Sequence, residues 1–194
     1  MPSERYPNVA VAADQQPRDA PFRLGVEKGR DFSPDAPARI RVTFENRSST
    51  EQTVGFGPIP PFSEIWSEGD GLLVLVPSDA AVRRHALGTD EEILPDRPVD
   101  GCWQTNPVRF VRHDVLRWRT LDAGERVRTE YAVLRHPERE ILAATTDEWV
   151  SVRSESDGCL PAGEYRFEES FPPDPRTDAA WDEFEWGFSL DIEE

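Results

Sequence analysis

A chain of 194 residues with 37% hydrophobic residues, among them 10 Phe and 6 Trp, can bury roughly 70% of its unfolded surface and is too aromatic for a disordered acidic polymer. Its formal charge of −16, from 38 acidic and 22 basic residues, argues against the phosphate-neutralising surface needed for duplex nucleic acid or an anionic membrane. No apolar run approaches the roughly 20 residues that span a bilayer.

Lys28 is the only lysine, so arginine supplies every other basic side chain. Acid excess with lysine almost absent is the surface expected in concentrated salt, where a Debye length of roughly 3 Å at about 1 M leaves spaced like charges hardly repelling. In dilute buffer the same charge works against the compact state. Arginine-favouring codon usage in a GC-rich genome is the other origin of this pattern.

Residues 1–21 are rich in Pro, Ala and polar residues without period and read as a flexible leader, leaving 22–194 as a single domain. The start shows no charged segment followed by a continuous apolar one, so no signal peptide is expected there. Alternation begins at FRLGVE, with Phe22, Leu24 and Val26 on one face, and is cleaner in ARIRVTFEN, with Ile40, Val42 and Phe44 inward. NRSST supplies a turn and QTVGF restarts an extended run. GFGPIPPFSEIW is a proline-rich edge or connection, since proline cannot donate to a ladder. GLLVLVP is continuously apolar and suits a strand covered on both faces.

The next thirty residues or so read mainly as loop, with one short helix around Ala80 to Leu87. Strand patterns resume in RFVRHDVLRWRTL and in ERVRTEYAVLR, where Val127, Thr129, Tyr131 and Val133 share a face. WVSVRS is a weaker strand. GEYRFEESF, with Tyr165, Phe167 and Phe171, and EWGFSLDIEE, with Trp186, Phe188, Leu190 and Ile192, complete eight or nine strands. The class is all-β, a two-sheet immunoglobulin-like sandwich with long irregular loops.

LDAGE (121–125) and LPAGE (160–164) each precede an alternating strand, with a glycine that lets the chain turn through positive φ. Tyr165 falls where a tyrosine corner places its ring, with the hydroxyl returning to backbone a few residues upstream. PARIRVTFENRSSTEQTVGFGPIPPFS, TLDAGERVRTEYAVLRHP, CLPAGEYRFEESF and WGFSLDIE together resemble small uncharacterised haloarchaeal immunoglobulin-like proteins, many of them exported or lipoprotein-like. More distantly, the order of motifs is similar to the bacterial intracellular proteinase inhibitor domain, itself a β-sandwich. The resemblance covers roughly residues 22–194 and brings no catalytic motif. It implies an extracytoplasmic or cell-surface location, with the cytoplasm as the alternative because the exported relatives' lipid-bearing cysteine is missing.

Chemical motifs are few. His85, His113 and His136 stand without a G-x-S-x-G elbow, and there is no H-E-x-x-H, C-x-x-C or calcium loop, so neither a catalytic residue, a metal site nor a cofactor is expected. The acids of DEEILPD and the group Asp182, Glu183 and Glu185 could hold Ca²⁺ but read first as solvated surface. Asn46 heads the only N-x-S/T sequon, placed in a turn where a glycan would be exposed, although Asn and Ser also make good turns. Pro58, Ile59, Pro60, Pro61 and Phe62 form a stiff segment that either presents a loop to a partner, as an inhibitor would, or protects an edge.

Cys102 and Cys159 each follow Asp-Gly and precede an apolar anchor, Trp103 or Leu160. Neither lies beside a cation that would activate a thiol. Pairing them closes a loop worth about 4 kcal/mol in the chain-entropy model, and an oxidising compartment is needed for the bond to persist. Two reduced, buried thiols are the alternative. These features lead to a non-enzymatic binding or structural module whose partner is a protein or cell-surface component, with a proteinase inhibitor acting through 55–62 as the competing reading. An acid-cluster enzyme or calcium-dependent module is the third.

Overall fold

The computed structural model describes residues 6–69, 72–108, 110, 112–136, 138–142, 149–153 and 159–193. It is all-β, with antiparallel sheets and one helix among the described residues. One layer has the order β2 (Phe22–Arg30), β3 (Arg39–Asn46), β7 (Arg126–Arg135), β5 (Leu73–Pro77). The facing layer has the order β1 (Asn8–Ala13), β11 (Phe184–Glu193), β10 (Gly163–Phe171). A ribbon of β4 (Gln52–Phe56) and β6 (Arg117–Leu121) continues the β10 side, because Gly55 N donates to Pro172 O at 2.9 Å and Val54 bridges Pro173. β8 (Glu138–Leu142) and β9 (Trp149–Arg153) form a separate hairpin pair.

The alternation seen in the sequence decides which faces meet. Ile40, Val42 and Phe44 of β3 are buried, as are Trp186, Phe188, Leu190 and Ile192 of β11. Phe44 lies 5.2 Å from Phe171 and 5.1 Å from Phe56, so aromatic rings join the layers through tilted and edge-on contacts. β5 is buried along its whole length, which its unbroken apolar run requires.

Helix α1 (Ala80–Leu87) matches the expected span. Asp79 caps it by accepting from the N–H of Ala81 and Val82, and Gly88 ends it at φ 62°, a left-handed conformation that glycine adopts without a Cβ clash.

Three expectations are corrected. The leader is not loose throughout, because residues 8–13 form β1, whose whole length pairs with β11 and whose Val9 enters the core. Among the described residues of RFVRHDVLRWRTL only Arg117–Leu121 is strand. The residues before it are drawn elsewhere: His113 N donates to Ala86 O at the helix end, and Arg112 Nη1 donates to Ser63 O. The sequon is closed, since Asn46 is fully buried and its amide belongs to the corner described below.

At that corner Asn46 Nδ2 reaches the carbonyls of Thr50, Leu121 and Asp122 at 2.8, 3.0 and 3.1 Å. Its Oδ1 accepts from Ser48 N and Ser48 Oγ. One side chain thereby stitches the β3–β4 turn to the LDAGE turn, where Gly124 has φ 77° and donates to Asn46 O. A glycan on this nitrogen has no room and would take one of its two N–H donors.

At the outer edge of β2, Gln16 occupies both backbone positions of Leu24. Leu24 N donates to Gln16 Oε1 at 2.7 Å, and Gln16 Nε2 donates to Leu24 O at 2.6 Å.

Candidate functional site beneath the proline segment

The prolines of 57–62 sit on the sandwich with their apolar groups turned inward. Ile59, Pro61 and Phe62 are buried, Pro58 and Pro60 are half-buried, and the Pro60–Pro61 peptide is cis. Phe62 packs 5.1 Å from Phe188 and 6.2 Å edge-on from Trp186. The segment is therefore part of the core wall, and the exposed loop expected of an inhibitor is not what this stretch forms.

Its backbone is held by side chains from two strands, β7 and β10, and from loop residues. Thr129 Oγ1 donates to Pro60 O at 2.7 Å, and the buried Tyr131 hydroxyl donates to Phe62 O. Burial pushes the Tyr131 phenol well above its ordinary range, so it stays a donor. Ile59 N donates to Ser63 Oγ at 2.9 Å. A Cβ on Gly57 would come within 2.5 Å of that same Oγ, which is why the close approach needs glycine.

The remaining holder is Glu169. On β10 the residues Tyr165, Phe167, Glu169 and Phe171 alternate onto one face, and Glu169 stands opposite Trp186 in the register. A carboxyl thus occupies an inward position of a core strand. It accepts from Ser63 N, closely, and from Glu64 N at 3.3 Å. Burial pushes it up to about 7, against the opposing pull of those two N–H groups and of the Arg112 guanidinium. Arg112 is itself engaged, with Glu64 Oε2 at 3.3 Å and Ser63 O at 3.2 Å. The same alternation that marked Tyr165, Phe167 and Phe171 in the sequence also points to Glu169, and this was the available signal for it.

The arrangement can take up and release a proton near neutrality, but its polar atoms all point at its own loop. It holds chain against chain.

The other candidate residues lie elsewhere. Cys102 and Cys159 stand at disulfide distance, with Sγ–Sγ 2.09 Å. Cys102 leaves a tight turn in which Asp100 and Gly101 both have positive φ, 51° and 75°, and Val99 and Cys102 exchange backbone hydrogen bonds. Trp103 is buried beyond it and donates from Nε1 to Ser33 O at 2.7 Å. Asp157 and Gly158, which precede Cys159, lie outside the described residues. The Tyr165 hydroxyl donates to Pro161 O at 2.8 Å, the upstream return expected of a tyrosine corner.

His85 is exposed on α1, His113 packs against Gly88, and His136 stands edge-on to the stacked Trp66 and Phe110. Among the described residues no group of three His, Cys, Asp or Glu side chains is placed to hold a metal ion. No helix among them is long and apolar enough to cross a membrane.

No family model, curated protein or solved structure matches this chain. Any functional reading therefore rests on the residues and their geometry.

Proposed function

We propose that this chain is a non-enzymatic, immunoglobulin-like binding or structural module of a salt-adapted organism, working at or outside the cell surface. The observation that carries the reading is the use made of Glu169. The most perturbed carboxyl of the site is committed, with Tyr131, Thr129 and Arg112, to holding the 57–64 segment. Groups serving a reaction need a space for substrate within hydrogen-bond reach, and these are filled by backbone.

The sandwich-like layering and the Tyr165 corner support the immunoglobulin-like form. The cysteine pair supports an oxidising compartment. The charge of −16 with a single lysine supports concentrated salt as the solvent. The inhibitor reading loses its exposed apolar loop, because Ile59, Pro61 and Phe62 are buried.

Circular dichroism through a salt series tests the solvent half of this reading. The β signal is expected to hold in molar salt, to collapse on dialysis into dilute buffer and to return with salt. A fold indifferent to desalting would remove salt adaptation from the proposal.

A further inference from the structure

The outer face of the β2–β3–β7 sheet is unlike the rest of this acidic molecule. Antiparallel pairing lines up three rows across it: Arg23, Glu45, Arg126; then Gly25, Thr43, Arg128; then Glu27, Arg41, Glu130. Four arginines thus meet three glutamates on a chain whose overall charge is −16. Two of the arginines are already neutralised. Arg126 Nη2 lies 3.1 Å from Glu45 Oε1, and Arg41 Nη2 lies 3.6 Å from Glu130 Oε2, a carboxylate shared with Arg39. Arg23 and Arg128 are exposed and have no acidic partner among the described residues.

Beside those two cations the β2 and β3 positions of the middle row are low, and Arg128 closes that row on β7. Gly25 has no side chain, and a Cβ built on it would meet nothing within 4 Å. The result is a groove of about 540 Å³, floored by Gly25 and Thr43 and walled on the β2 side by Gln16.

The chemistry around this groove narrows the ligand. Glu27, Glu45 and Glu130 would repel a polymer of high charge density, so nucleic acid or a heavily sulfated saccharide fits poorly. No aromatic side chain lines it, so it offers no platform for stacking a base. A ligand with one or two carboxylates matches the two free cations. In an extended peptide, alternate side chains lie about 7 Å apart on one face. Arg23 and Arg128 sit two strands and one two-residue step apart, roughly 12 Å between Cα atoms, and both line the groove.

We propose that this groove binds an acidic peptide segment in extended conformation, with Arg23 and Arg128 each taking one of two carboxylates placed two residues apart. Direct guanidinium–carboxylate hydrogen bonds form inside even the roughly 3 Å Debye length of molar salt, so screening weakens the approach more than the contact. The proposal rests on the domain being a binding module, and names the partner chemistry for it.

Fluorescence anisotropy with a labelled Gly-Ser-Asp-Ser-Glu-Ser-Gly peptide tests this, in the lowest salt that keeps the β signal. The same peptide with Asn and Gln in place of the acids is the control. Arg23→Ala and Arg128→Ala should each weaken binding about tenfold, the loss of one charge-assisted contact. Gly25→Leu should abolish it while leaving the dichroism unchanged, because its Cβ enters open space. Arg84→Ala, on α1 and away from this face, should bind as the unaltered protein does.

Equal binding of the amide control, no binding at millimolar peptide, or arginine variants that bind unchanged would overturn the proposal. So would a sulfated oligosaccharide that binds through Arg23 and Arg128 where the peptide does not. A negative peptide result on protein that passes the salt series removes the groove and leaves the broader reading standing. Failure of the salt series removes salt adaptation alone and leaves the groove to be judged by the peptide.

Discussion

Two inward-facing polar side chains, the fully buried Asn46 and the half-buried Glu169, do the same architectural task with different chemistry. Each sits at the inner end or face of a core strand and gathers the backbone of a turn or loop. Asn46 uses a neutral amide that donates to three carbonyls and accepts from Ser48. Glu169 uses a carboxyl that only accepts from the N–H groups of Ser63 and Glu64. The amide is satisfied at any pH. The carboxyl pays a desolvation penalty whenever it is ionised, and this is what raises it to about 7. The difference teaches that either group can fix a loop, but only the carboxyl makes the fold sensitive to protons.

Removing the neutral pin should have the largest effect. Asn46→Ala takes the donor from the buried Leu121 carbonyl and from the part-buried Thr50 and Asp122 carbonyls, and should lower stability by about 3 kcal/mol in urea unfolding at molar salt. A loss well below that would mean water or the Ser48 hydroxyl replaces the amide. Asn46→Asp sharpens the contrast, because a carboxylate facing three carbonyls should recover part of its stability as the pH falls and it becomes protonated.

The charged pin is tested by Glu169→Gln, which keeps an acceptor and removes the titration. Because the folded-state value lies above the ordinary one, the native protein holds more protons than the unfolded chain between about pH 4.5 and 7. Its stability relative to the variant should therefore fall as pH rises through that window, by at most about 3 kcal/mol. A difference that stays flat with pH would show that the carboxyl is not held up by burial. The groups lowered by their partners, such as Asp14 beside Arg166, act in the opposite sense and only at lower pH.

The smallest effect should come from the LPAGE corner, whose hydroxyl pin lies at the exposed surface. Tyr165→Phe should cost about 1 kcal/mol or less in the same unfolding assay. A loss as large as that of Asn46→Ala would place the exposed corner on a par with the buried ones.

Much of this was readable from period two. Strand β3, the buried run of β5 and the C-terminal β11 follow from alternation and continuous apolarity, and α1 spans the short helix expected around Ala80 to Leu87. Strand β1 escaped because NVAVAA offers small side chains and one deeply buried valine, so its contrast with a loose leader is slight. The segment before β6 misled because its alternation is real while its backbone groups bind the helix end and the proline loop.

Asn46 looked like an exposed turn residue because the partners that bury it, Leu121 and Asp122, lie 75 and 76 positions away. The arginine groove was hidden for the same reason. Arg23, Arg41 and Arg128 become neighbours only through the β2–β3–β7 register, and along the chain they form no basic stripe. Glu169 is different, since its inward position was written into the strand and only the habit of sending glutamate outward concealed it.

The Gln16 clamp on Leu24 has a consequence for solubility. β2 is an outer strand of its sheet, and free N–H and C=O groups on such a strand invite another chain to add itself. Proteins often guard that border with lysine or glutamate, whose repulsion fades when ions crowd the solvent. A side-chain amide that imitates a neighbouring strand fills those hydrogen-bond sites without charge, and its protection does not fade with rising ionic strength.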